Sequence, residues 1–184
     1  MITLAFLSLA WSKPNAVTVQ KIGTCPSGYS SSGEYCKPNS NARFAIEKNG
    51  TCPSGYSSSG QYCLANSNAA VAIHKTGSCP SGYSSSGKYC LESSRKHSTS
   101  SESFLQPEVL YKNGTCPSGY SSSGEYCKPN SSARFAVAKN GTCPSGYSSS
   151  GNYCLANSNA RFAIPKSGSC PSGYSSSGQY CLKN

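Results

Sequence analysis

Twelve cysteines carry the clearest chemistry in this 184-residue chain. They form six pairs, each eleven positions apart: Cys25 and Cys36, Cys52 and Cys63, Cys79 and Cys90, Cys116 and Cys127, Cys143 and Cys154, Cys170 and Cys181. Structural zinc sites favour two to four residues between a pair of thiolates. Here ten residues intervene, two of them glycines, and the only histidines are His74 and His97, which do not recur from pair to pair. No metal and no other cofactor is expected. Disulfides within each pair are, and an even count of regularly spaced cysteines points to an oxidising compartment.

Two other residue types recur with the cysteines. Each pair contains two tyrosines, one four positions after the first cysteine (Tyr29, Tyr56, Tyr83, Tyr120, Tyr147, Tyr174) and one just before the second. A lysine stands four positions before every first cysteine: Lys21, Lys48, Lys75, Lys112, Lys139 and Lys166. These twelve residues are the candidate ligand contacts, the tyrosines by stacking on sugar rings or on another chain, the lysines by attraction to an anionic partner. The competing roles are a small tyrosine core against the disulfides and prolines, and a lysine fringe that keeps strand edges soluble. Of the two tyrosines, the first of each pair is expected to be the more exposed.

Catalytic groups are scarce. The chain has six acidic residues, all Glu, and the slot before the second tyrosine reads Glu34, Gln61, Lys88, Glu125, Asn152 and Gln179, so no carboxylate recurs. The loop serines have no neighbouring histidine to activate them. An enzyme is not expected. Sequons at Asn49, Asn113, Asn130 and Asn140 matter only in a host that glycosylates.

The elements that position these residues come from a repeat. The segment Cys-Pro-Ser-Gly-Tyr-Ser-Ser-Ser-Gly-x-Tyr-Cys occurs six times, at spacings of 27, 27, 37, 27 and 27 residues. Units one and four end in Cys-Lys-Pro-Asn, two and five in Cys-Leu-Ala-Asn, three and six in Cys-Leu, so the chain is a duplicated set of three. Only 36% of residues are apolar, too few to order so long a chain by burial alone, which again favours covalent staples. Six positions before each first cysteine stands an aliphatic residue (Val19, Ile46, Ile73, Leu110, Val137, Ile164), and eight before stand Val17, Phe44, Val71, Glu108, Phe135 and Phe162. That alternation predicts a short half-buried strand. Pairing Cys25 with Cys36 also pairs Gly28 with Gly33, leaving Tyr29–Ser32 as the loop of a stapled hairpin with Tyr35 opposite Pro26. A bridge closing such a loop stabilises by about 3 kcal/mol in the chain-entropy account.

The fold class expected is small, disulfide-rich and all-β: tandem short β-hairpin repeats. Independent beads and stacked units both remain open, with stacking inside two three-unit blocks, and strand pairing between neighbours, the favoured arrangement. The expected boundaries are a signal peptide over 1–12, a first block over 13–91, a serine-rich flexible linker over 92–106 and a second block over 107–184. The signal-peptide reading rests on an apolar run of about ten residues, too short to span a bilayer, and it lacks a basic start.

Two resemblances follow from these motifs. Cys-Pro-Ser-Gly-Tyr followed by Cys resembles the last hairpin of an EGF-like module, although that module's other four cysteines are missing. The likeness agrees with pairing inside each motif. Over the whole repeat the chain resembles uncharacterised secreted Cys-rich tandem-repeat proteins predicted from marine cyanobacterial genomes, which implies export but no activity.

With a net charge of +10 spread along the chain, the sequence points to an exported structural or adhesive repeat protein. It would bind polysaccharide or an anionic cell surface multivalently, with self-association a further option. No specific nucleic-acid motif and no membrane span is present. The alternative is a secreted cationic antimicrobial or toxin-like protein. Secretion, display at the cell surface or the periplasm would all suit the cysteines.

Overall fold

A computed structural model describes residues 15–93 and 105–184. The proposed signal segment and most of the linker lie outside the described residues. Among these, all regular structure is β. Each unit is a three-stranded antiparallel sheet, and the six expected disulfides are formed, with Cα atoms 5.4–5.5 Å apart.

Unit one shows the pattern, with strands β1 (Val19–Gln20), β2 (Tyr29–Ser32) and β3 (Tyr35–Pro38). The last strand lies in the middle, paired with both others. The hairpin register corrects the sequence expectation. Ser32 pairs with Tyr35, so the turn is the dipeptide Gly33-Glu34, and Tyr29–Ser32 is a strand rather than a loop. Gly33 has φ +60° and, among the described residues, none other than glycine has positive φ, the signature of a II′ hairpin turn. Gly28, at φ +85°, serves a second turn in which the Tyr29 amide donates to the Pro26 carbonyl. Cys25 therefore stands in a loop, and its bridge ties that loop to the central strand. Tyr35 faces Ser32, not Pro26.

The first strand forms where the alternation predicts it. Val19 pairs with Cys36, and its counterparts pair with the equivalent half-cystines in every unit. Burial, however, does not alternate. Ala45, Ala72, Ala136 and Ala163, between the two apolar positions, are all buried, and all four residues of the central strands Tyr62–Ala65 and Tyr153–Ala156 are buried. A sheet buried on both faces must have a neighbour on each face.

Those neighbours are the adjacent units, which meet face to face without strand pairing. The hydroxyl of Tyr62 in unit two accepts from the Ile22 amide (2.7 Å) and donates to the Gln20 carbonyl (2.7 Å) of unit one. Tyr89 repeats this on unit two and Tyr153 on unit four. Tyr180 does so on unit five. Tyr126 makes the same pair of bonds to Thr76 and His74, so unit four docks on unit three like any other neighbour despite the ten extra residues between them. Tyr35 of unit one completes the set by binding Ser167 and Pro165 of unit six. The six units form a closed ring. Radial repetition of this kind leaves each sheet only short, protected edges, as in propellers, here with three strands per blade.

The tyrosine contacts thus run unbroken across the boundaries between the blocks. The first strands lie toward the ring axis: Phe135 and Phe162, which precede the first strands of units five and six, have ring centroids 5.4 Å apart. In a regular hexagon the side equals the radius, so groups this close to their neighbours are close to the axis. The serine strands of the hairpins lie on the far edge of each sheet, outward.

Candidate functional site

The recurring residues divide into buried contacts between units and an exposed fringe. All six second tyrosines are at most 2% exposed. Tyr62, Tyr89, Tyr153 and Tyr180 sit against the disulfide of the preceding unit, the Tyr62 hydroxyl 3.8 Å from Cys36 Sγ and that of Tyr89 3.7 Å from Cys63 Sγ. A tyrosine core against disulfides is therefore present, but it is built between units rather than within one.

The first tyrosines lean the other way. Tyr29, Tyr56, Tyr120 and Tyr147 are buried, and each donates its hydroxyl at 2.8 Å to a backbone carbonyl at the start of the next unit: Arg43, Ala70, Arg134 and Arg161. Tyr174 reaches Thr18 Oγ1 of unit one at 3.2 Å, across the ring closure. Tyr83 is half-buried. The first tyrosine of each pair is the more exposed of the two, as expected, but the face-to-face packing covers both sides of each sheet and leaves none of the six in the open. Burial pushes the Tyr147 hydroxyl up to about 12, and raises those of Tyr29 and Tyr120 further in the same direction. Among the described residues the large exposed aromatic is Tyr111, which lies outside the repeated motif.

The lysines remain available. In units two to six each ammonium crosses its own sheet to an outward serine at 2.9 Å, as in Lys48 to Ser58 Oγ and Lys139 to Ser149 Oγ. Lys48, Lys75 and Lys166 are half-exposed like Lys21, and Lys112 and Lys139 are exposed. A neutral hydroxyl positions an ammonium without cancelling its charge, so the fringe is an evenly spaced set of cations. The Lys backbone is fixed too, since its amide donates to the carbonyl of the hairpin-turn residue, Lys21 to Glu34 at 2.8 Å.

A second cationic region lies where units six, one and two meet. A cleft of about 780 Å³ is lined by Phe44, Phe162 and Tyr174, with Lys37, Arg43 and Lys183 among its polar residues and no carboxylate. Burial and the nearby Lys37 charge lower the Lys183 ammonium below its ordinary value. Sequence reading did not single out this cleft, because it joins residues some 140 positions apart. The signal available was the apolar position eight before each cysteine. Its one polar member, Glu108, is open to solvent yet crowded, and the partial desolvation raises its carboxyl.

No group of three or more His, Cys, Asp or Glu side chains that could hold a metal occurs among the described residues, and all twelve cysteines are paired. No helix of the described residues is long and apolar enough to cross a membrane. Comparison with protein-family models, with curated proteins and with solved structures finds no match to this chain.

Proposed function

We propose that the chain is an exported structural or adhesive protein that holds an anionic extracellular polymer or surface at several points at once. The observation that carries this reading is the lysine fringe: one cation per unit, each four residues before the first cysteine, and in units two to six resting on an uncharged serine. A rigid ring presents these cations at constant spacing. Weak contacts then combine, because after the first is made the others form at high effective concentration. Exposed charge pairs are individually worth little and are screened by salt, so the affinity must come from their number. The buried tyrosines contribute indirectly, by holding the ring rigid. Six disulfides suit a protein that folds in an oxidising environment and persists outside the cell.

Deleting units is a poor test, since it also opens the ring. The test is substitution. Variants with one, three or all six of Lys21, Lys48, Lys75, Lys112, Lys139 and Lys166 changed to Ser are passed over carboxylated and sulfated polysaccharide beads. Retention is expected to fall stepwise with the number changed, and the salt needed for elution to fall with it. Equal retention of the sixfold variant, with its melting curve unchanged, would overturn the reading.

A further inference from the structure

The six contacts between units are alike in their tyrosine bridges and in one serine bond. In each, the amide two residues after the first cysteine of one unit donates to the last strand serine of the next. Ser27 to Ser59 Oγ is an example, and Ser172 to Ser32 Oγ closes the ring. Two of the six add a lysine contact. The residue after the second cysteine is Leu in units two, three, five and six but Lys in units one and four. Lys37 donates to Ser172 Oγ of unit six at 3.2 Å. Lys128 donates to the Ser81 carbonyl of unit three at 2.8 Å, with Ser81 Oγ at 3.4 Å. Both ammonium groups fill the space over a glycine of the facing unit, Gly173 and Gly82.

These two contacts are where one three-unit half of the chain meets the other. They use equivalent residues: Tyr35 on Pro165 and Ser167 in one, Tyr126 on His74 and Thr76 in the other. Each half therefore offers a lysine-bearing face at its start and a glycine-loop face at its end, and the two halves join through both at once. Such an arrangement is isologous, the same patch used twice about a two-fold axis, as in a homodimer.

We propose that each three-unit half is a self-association module whose partner is any second copy of such a half. The ring is then a covalently joined dimer of halves. Within one chain the lysine-bearing faces Tyr35–Lys37 and Tyr126–Lys128 find their partners in the other half. Between chains the same faces exchange, so that half of one chain closes a ring with half of another and linked rings result. This surface requires nothing of the lysine fringe, and it stands or falls apart from the polymer reading.

The full-length, oxidised protein tests it. A specific protease site is inserted between residues 94 and 104, and the folded ring is cut there. The fragments are expected to co-elute at the mass of the uncut chain. Two cut preparations, one with an affinity tag on its C-terminal fragment, are then mixed in mild urea and the urea is removed. Capture of the tag is expected to retrieve untagged C-terminal fragment as well as N-terminal fragment, because identical halves fit each other. Tyr35→Phe with Tyr126→Phe should speed this exchange about tenfold or more, each lost bond loosening the joint between halves. Tyr62→Phe with Tyr153→Phe, inside the halves, should leave it unchanged. Separation of the fragments on cutting would overturn the proposal. So would retrieval of N-terminal fragment alone, and so would equal exchange rates in the two double variants.

Discussion

Closure of the ring rests on Tyr35, and its substitution by Phe has a calculable cost. The hydroxyl accepts from Ser167 and donates to Pro165, while the ring itself is 2% exposed. Removing the oxygen leaves a half-buried amide without its acceptor, whereas the exposed Pro165 carbonyl regains water. The expected loss is about 2 kcal/mol for one stranded donor and one lost bond. Tyr62→Phe is the internal standard, since its partners Ile22 and Gln20 are half-buried and exposed in the same way. In a chain of this size the loss should lower the melting temperature by roughly 6 °C in both variants. Thermal unfolding of the oxidised proteins, followed by near-ultraviolet circular dichroism, measures it. In an open row of units Tyr35 would lie on a free end face and have nothing to lose. If Tyr62→Phe costs the expected amount and Tyr35→Phe costs nothing, the ring is not closed and the reasoning fails.

Three further outcomes follow from particular contacts. Gly119 has φ +86° and a Cβ there would stand 2.9 Å from Ala133 Cα, whereas Gly124, at φ +59°, has open space around it. Gly124→Ala should therefore cost about 1 kcal/mol in backbone strain alone, and Gly119→Ala clearly more, by urea unfolding. Burial pushes Tyr29, Tyr120 and Tyr147 up from an ordinary 10, Tyr147 to about 12. A raised folded value means their contribution to stability is complete below pH 10 and lost as pH rises through about 12 for Tyr147 and higher for the other two. Absorbance at alkaline pH should show tyrosine ionisation delayed past the ordinary value and joined to unfolding; ionisation of all thirteen near pH 10 in a folded protein would contradict the packing. Replacing Cys52 and Cys63 together by Ala should cost about 3 kcal/mol through loop closure. It should also disturb unit three, whose Tyr89 rests on that bridge, measurable as faster amide exchange at Asn49, the donor to the Tyr89 hydroxyl.

What the amino-acid sequence determined by itself is local and repetitive. The spacing of Cys25 and Cys36 named the disulfide partners, the alternation around Val19 named the first strand, and six copies named an all-β repeat, because short-range geometry suffices for each. The hairpin register was less legible. Gly28 and Gly33 are symmetric about Tyr29–Ser32, and only the structure shows that Gly33 takes the hairpin turn while Gly28 bends the loop before it. The role of the tyrosines depended on tertiary structure altogether. A tyrosine between a glycine loop and a half-cystine looks the same in a bead, an open stack or a ring. Ring closure is set by the small rotation from each unit to the next, accumulated over six, and no single unit encodes that sum. Once the rotation brings unit one against unit six, both faces of every sheet are covered. Tyrosines that sequence alone offers as ligand contacts become the joints between units, and the lysines are left as the exposed chemistry.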